Sequence, residues 1–251
     1  MMFSAVVDLN RTAAMVFDTD GVITDTARVH AAAWKRVFDA FLRERTRRFG
    51  ERFRPFDAGD YLRHVDGKSR LDGVRDFLLS RGITPDPGTV ADLASRKDAA
   101  FLTEIREHGV ASFPSTVGLV RELRRRGVRT AAVSASRNCA EVLRAAGVDD
   151  LFDVRVDGID AARLGLAGKP DPALFLQAAR QLGVTPGEAA VVEDSLAGVR
   201  AGRRGRFGLV IGVDRHDQRE TLRAAGADLV VTDLAELRLD GRGCEPLAPH
   251  L

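Results

Sequence analysis

Apolar and polar positions follow two regimes along this chain. Short apolar runs of three to six residues recur at Ala13–Phe17, Val128–Val133, Phe152–Val156, Ala189–Val192, Gly208–Val213 and Leu229–Val231. Runs this short, with little alternation, read as strands buried on both faces. From about Pro114 onward they alternate with helical stretches such as Ala173–Leu182, which predicts a parallel, doubly wound sheet. Residues 25–111 lack strand-like alternation. A helix is expected from about Asp25 to Arg45, on the stripe Val29, Ala33, Val37, Ala40 and Phe41, with others over Leu71–Ser80 and Thr89–Arg106. The first run, Ala13–Phe17, needs the later strands to bury it. The expected architecture is therefore α/β: a discontinuous core of residues 1–24 and 112–251, with a small α-helical cap inserted at 25–111. Hinges are expected near Val22–Thr26 and Ala111–Ser115. The stretch after Leu239, with Gly241, Gly243, Pro246 and Pro249, reads as a poorly ordered tail.

Three of the strand-like runs end in chemistry of different kinds. The first ends in Asp18-Thr19-Asp20-Gly21, two carboxylates at the carboxyl end of a buried strand, where open α/β sheets keep their active sites. One could attack as a nucleophile while the other handles a proton, and Gly21 lets the chain leave sharply. The second run ends in Ser134-Ala135-Ser136, and the third in Glu193-Asp194-Ser195. Between them Gly168-Lys169-Pro170 offers a lysine in a loop. Ser134 alone would read as a helix N-cap. Carboxylates gathered at about 4 Å repel by roughly 4 kcal/mol per pair at an effective dielectric near 20, so the acidic set calls for a cation. Mg²⁺ fits, because it takes oxygen ligands and keeps positions for water and phosphate.

In order and spacing this set resembles the haloacid dehalogenase superfamily of phosphoryl-transfer enzymes, and within it the β-phosphoglucomutase-like group. The matching residues are Asp18–Thr26, Ser134-Ala135-Ser136-Arg137-Asn138, Lys169-Pro170 and Glu193-Asp194-Ser195, with His30, Trp34 and Gly67-Lys68-Ser69-Arg70 between them. The likeness covers nearly the whole chain and implies a Rossmann-like core carrying the helical cap. It also implies that Asp18 becomes an aspartyl phosphate and that Asp20 is the general acid/base, with Ser134 and the Ala135 N–H holding the transferring phosphate and Lys169 offsetting its remaining charge. Mg²⁺ would be held by the Asp18 side chain, the Asp20 backbone carbonyl, Asp194, and Glu193 directly or through water. Arg70, Ser136 and Asn138 match a distal phosphate grip, His30 a residue coupling cap closure to Asp20, and Lys97 and Lys68 substrate-facing positions.

Composition narrows the picture. At 251 residues, with 45% hydrophobic and 29% charged content and a net charge of +2, the chain is an ordinary soluble protein with core to spare. With one Trp and one Tyr it carries no basic–aromatic stripe for nucleic acid. No run is long enough for a membrane span or signal peptide. Cys139 and Cys244 make no disulfide framework. A cytoplasmic monomer or weak dimer acting on a small phosphorylated sugar is expected. Only four of the 38 basic residues are lysines, Lys35, Lys68, Lys97 and Lys169, either through a base composition that favours Arg codons throughout or because these positions need a compact ammonium. Residues Arg43 to Arg54 carry six arginines, either a solvated helix face or a phosphate-attracting mouth.

Water as acceptor from Asp18 would make the protein a phosphatase, a sugar hydroxyl a mutase. A mutase must grip a second phosphate, and Arg70, whose fork binds phosphate bidentately, favours β-phosphoglucomutase. Lys68, Gly73 and Arg137 depart from that group's pattern and keep a sugar-phosphate phosphatase as the alternative. A catalytically silent sugar-phosphate-binding regulator is disfavoured by the intact Asp18, Asp20, Lys169 and Asp194.

Overall fold

The computed structural model describes residues 5–50 and 52–242. The chain opens with strands β1 (Ala5–Asp8) and β2 (Ala14–Asp18). A helical insertion follows: α1 (Ala27–Phe49), α2 (Ala58–Asp60) running into a wide turn at Tyr61–Val65, α3 (Arg70–Ser80) and α4 (Pro87–His108). The chain then alternates through α5 (Pro114–Arg125), β3 (Arg129–Val133), α6 (Cys139–Ala145), β4 (Val154–Val156), α7 (Gly158–Leu164) and α8 (Ala173–Leu182). It closes with β5 (Ala189–Glu193), α9 (Leu196–Arg204), β6 (Leu209–Val213), α10 (Arg219–Ala225), β7 (Leu229–Val231) and β8 (Leu237–Asp240).

Six strands form one parallel sheet in the order β4-β3-β2-β5-β6-β7. All five residues of β2 are buried, and they serve two different cores. Met15 and Phe17 pack into the cluster with Val120 and Leu123 of α5, whereas Ala14 and Val16 pack with Phe175 of α8 and Val199 of α9. Alternate side chains of a strand face opposite sides, so helices on both faces require an apolar residue at every position. Strand order runs outward in opposite directions from β2, which makes the carboxyl ends of β2, β3 and β5 the switch point where a ligand crevice forms.

The insertion has a core of its own. Trp34 stacks on Phe38 at 4.9 Å, Phe38 lies 4.0 Å from Phe77, and Phe56, Val74, Leu78 and Leu93 close round them. It joins the sheet through two strand-like crossings that hold each other: Asp25 N–H donates to Ala111 at 2.9 Å and Phe113 N–H to Ile23 at 2.9 Å, with Thr24 bridged to Ser112. These lie within the segments expected as hinges.

Several elements differ from expectation at their ends. Helix α1 runs on past Arg45 to Phe49 and stops at Gly50, φ +68°. Arg45 and Arg48 stack on Phe49 and Arg43 on Phe53, which is the solvated-face reading. At 1.5 Å per residue Arg43 to Arg48 lie roughly 24–32 Å along α1 from its start at Ala27, too far to form a mouth there. Phe152 precedes β4 rather than joining it. The region after Leu239 is in part ordered, because β8 pairs with β1 and Arg126 reaches the carbonyls of Leu239 and Gly241. The rest of the expected tail, with Cys244, lies outside the described residues. Among the described residues no helix is long and apolar enough to cross a membrane.

Candidate active site

Strand register builds the site. Phe17 pairs with Ala132 on one side and Val192 on the other, so Asp18, Val133 and Glu193 end their strands at one level, with Ser134 and Asp194 just beyond. Asp18, Glu193 and Asp194 thereby bring one carboxylate oxygen each within 4.8 Å of one another. A Cβ on Gly21 would stand 1.7 Å from Asp194 Oδ2, and its φ is +84°, so only glycine admits that acid.

One lysine answers three carboxylates. Lys169, buried beside the ring of Phe175, donates to Asp18 and, at 2.5 Å, to Glu193. Burial pulls its ammonium down, but the two acids overcome that and hold it well above the ordinary lysine range. Burial pushes the Asp18 carboxyl well up, Lys169 offsetting only part of this. Asp194 is raised by burial and then by Asp66, Glu193 and Asp18. Glu193 is already anchored through Oε2 by the Ser195 N–H at 2.8 Å and hydroxyl at 3.0 Å. The Asp194 carboxylate has no hydrogen bond or ion pair among the described residues. A cluster of hard oxygen donors with one carboxylate unengaged and too little positive charge fits a divalent cation.

Asp20 sits in a different setting. Its Oδ1 accepts from the Thr26 hydroxyl and lies 3.2 Å from His30 Nε2, while Lys97 Nζ lies 2.6 Å from His30 Nδ1. A charged Lys97 donates to Nδ1 and leaves the ring proton on Nε2, facing Asp20. Burial would raise the Asp20 carboxyl, but His30, Thr26 and Lys97 outweigh it and hold it well below the usual range. Burial lowers Lys97 to about 7, and burial together with Lys97 lowers His30. Two neighbouring acids are thus pushed opposite ways, Asp18 by desolvation and Asp20 by its partners.

The Ser134–Asn138 loop corrects one expectation. Ser134 does not cap a helix, since α6 starts only at Cys139, after Asn138. Its hydroxyl instead accepts from the Ser136 N–H at 3.0 Å and the Ser136 hydroxyl from the Asn138 N–H at 3.1 Å. This tight double turn brings Asn138 to the insertion, where its amide donates to Asp98 of α4 at 2.7 Å; Asp98 also pairs with Arg70. Cys139 is buried against Thr19, and burial pushes its thiol up to about 12, an inert position. Lys68 pairs with Asp76 of α3, and a Cβ on Gly73 would press Val65 at 3.1 Å.

Asp18, Asp20, His30, Lys97, Lys169, Asp194, Ala135, Ser136 and Arg70 line one enclosed cavity, together with Lys68, Tyr61, Asp66 and Gly67. Ser134, Asn138 and Glu193 are not among its lining residues. Gly67 closes it from the insertion side, where a Cβ would strike Ser195 Oγ at 2.2 Å. The cavity holds about 50 Å³, room for a few waters and too little for a sugar phosphate. Sequence reasoning did not single out Thr26, Asp66, Tyr61 or Asp98. The Asp66 carboxyl, raised by burial and Glu193 to about 7, faces the strand-end acids from the insertion.

A family model described as a haloacid dehalogenase-like hydrolase matches residues 12–206. The chain is 48% identical over 237 residues to a β-phosphoglucomutase of Mycobacterium tuberculosis, spanning 89% of this chain and 90% of that protein. A crystal structure of β-phosphoglucomutase from Clostridium difficile aligns with a TM-score of 0.74 at 26% identity, over 90% of this chain and 93% of the other. CbbY from Rhodobacter sphaeroides, solved with xylulose-1,5-bisphosphate, aligns with a TM-score of 0.71 at 26% identity, over 91% and 97%. On these likenesses and on the site they accompany, the chain is an enzyme belonging to the haloacid dehalogenase-like hydrolase family, in its β-phosphoglucomutase-like group.

Proposed function

We propose that this enzyme interconverts β-glucose 1-phosphate and glucose 6-phosphate through a phosphoryl group carried on Asp18, with Mg²⁺ as cofactor. The observation that carries this reading is the shared cavity, lined by Asp18, Asp20 and Lys169 and equally by Arg70 and Ser136. A phosphatase needs only the first group. A mutase needs both, because its bisphosphate intermediate must be held by one phosphate while the other reacts.

Asp18 attacks the phosphorus of a bisphosphorylated sugar in line, and the ester P–O bond breaks as the aspartyl phosphate forms. Asp20 gives a proton to the departing sugar oxygen. In the second half a sugar hydroxyl attacks the phosphorus, Asp20 takes its proton, and Asp18 is released as a carboxylate. His30, Thr26 and Lys97 hold Asp20 ionised, the form the base step requires. A phosphoryl group arriving beside it pushes that carboxyl up and so favours the acid step. Lys169 and the Ser134–Ala135 turn are assigned to the equatorial oxygens. Mg²⁺, held by Asp18, Asp194 and the Asp20 carbonyl, with Glu193 directly or through water, would neutralise charge on Asp18 and the transferring group.

We assign residues 25–111 as a cap over a discontinuous core of 1–24 and 112–251. A cavity of about 50 Å³ must open to admit a hexose phosphate, and the paired crossings at Thr24 and Ser112 are the natural hinge. His30 and Lys97, both on the cap, bring Asp20 into play only on closure. A small-molecule enzyme of this kind belongs in the cytoplasm.

The test presents purified protein and Mg²⁺ with β-glucose 1-phosphate and a trace of glucose 1,6-bisphosphate, following glucose 6-phosphate and free phosphate together. Rapid glucose 6-phosphate with little phosphate release is expected, and none from Asp18→Asn. Phosphate release without isomerisation would replace the mutase by a phosphatase.

A further inference from the structure

Asp98 of α4 is an acid that the reaction above does not use, yet it occupies that reaction's second-phosphate grip. Its Oδ1 accepts from Asn138 Nδ2 at 2.7 Å and the same oxygen is ion-paired with Arg70 Nη1. Arg70 and Asn138 are two of the three groups assigned to the distal phosphate, and Arg70 has no other acidic partner among the described residues. Burial would raise the Asp98 carboxyl, but Arg70, Asn138 and Lys97 hold it below the usual range, so it is an anion at neutral pH. A carboxylate and a phosphate seek the same donors in the same fork geometry. Both cannot have them, and a phosphate entering beside a fixed carboxylate would be repelled.

The surroundings give the carboxylate somewhere to go. Arg70 lines the small cavity and also a groove of about 530 Å³ between α3, α4 and α7, whereas Asp98 lines only the groove. Arg137 lines the same groove, is exposed, and makes no ion pair among the described residues. The Arg70–Asp98 pair therefore stands between the closed cavity and the wider space. Through Asn138 it also ties cap to core.

Resting on the mutase reading above, we propose that Asp98 is a built-in counter-anion that fills the distal grip until a second phosphate arrives. It holds the cap to the core and is exchanged for the substrate's second phosphate. It is then a specificity-determining residue: a ligand with a second phosphate can displace it, while one offering a single phosphate to Asp18 gains nothing at this end. Removing its charge lowers the threshold for bisphosphate at the distal end.

Calorimetric binding tests this in the Asp18→Asn protein with Mg²⁺, where no turnover interferes. Adding Asp98→Asn should tighten glucose 1,6-bisphosphate about five- to tenfold and change inorganic phosphate, the single-phosphate probe, less than twofold. Asp98→Glu, which keeps the charge, should stay within about twofold of the parent, guarding against a general packing effect. Unchanged or weaker bisphosphate binding in Asp98→Asn would overturn the proposal, as would Asp98→Glu behaving like Asp98→Asn. Glucose 6-phosphate formation by the unmodified enzyme is scored separately. Its absence alongside tightened bisphosphate binding would sink the mutase and keep the counter-anion; its presence alongside unchanged binding would do the reverse. Failure of every form to bind bisphosphate would sink both.

Discussion

The two ends of the cavity are built on opposite terms. The proximal end is a strand-end cluster: Asp18, Glu193 and Asp194 follow buried parallel strands whose register is fixed by the sheet. Its charges are unbalanced, one buried ammonium against three carboxylates. The distal end is assembled from three separate pieces, Arg70 on α3, Asp98 on α4 and Asn138 after β3, and its charges are matched one to one. A rigid frame can carry an electrostatic deficit that a cation then fills. A surface that must part and rejoin cannot, so it closes on an internal ion pair.

The sharpest way to break this contrast is at Lys169. Removing it by Lys169→Met leaves Asp18 and Glu193 buried with no cation, a change expected to cost about 3–5 kcal/mol in the metal-free protein. Mg²⁺ should restore much of that loss, and should raise the melting temperature of the variant more than that of the unmodified enzyme. Equal losses with and without Mg²⁺, read by denaturant unfolding, would remove the cation from the cluster.

The distal end answers to a smaller change. Arg70→Ala should cut glucose 6-phosphate formation roughly 10- to 100-fold, the scale of a charge-assisted phosphate contact. Hydrolysis of an aryl phosphate, which carries one phosphate, should fall no more than about threefold. Equal loss on both substrates would show that Arg70 serves the fold of the cap rather than a second phosphate.

What the sequence discloses follows the same division. The carboxyl ends of β2, β3 and β5 are legible because a doubly buried parallel strand is a continuous apolar run and its chemistry lies within two residues of its end. Lys169 is legible for the same reason, in a loop directly before the amphipathic α8. Asp98 is not legible, because its partners are 28 and 40 positions away and meet it only after α3, α4 and the core have packed. Tyr61 and Asp66 are hidden likewise, in and just after a wide helical bend with no periodic pattern. Strands β1 and β8 escape because each is four residues long and half exposed, giving neither a continuous run nor a long alternation. Ser134 misleads because a serine before a helix usually caps it, whereas here two further turns intervene.

A pH-dependent effect lies where the two ends meet, at Lys97. It is buried, reaches His30 at 2.6 Å, and neighbours Asp98 in sequence. Burial lowers it to about 7, against about 10.4 for a free lysine. Below pH 7 the folded and unfolded chains both hold the proton, and the penalty of the buried charge is present in full. Between pH 7 and 10 the unfolded chain still holds a proton that the folded one has released. Folding stability therefore rises with pH through this window, by at most about 1.4 kcal/mol per pH unit from this group. Lys97→Met has no such proton, so its advantage in urea unfolding should be largest near pH 7 and shrink steadily toward pH 9.5. Parallel stability curves for the two proteins would mean that Lys97 keeps its charge on folding. In that case the relay through His30 would be balanced like the distal pair and would carry no deficit of its own.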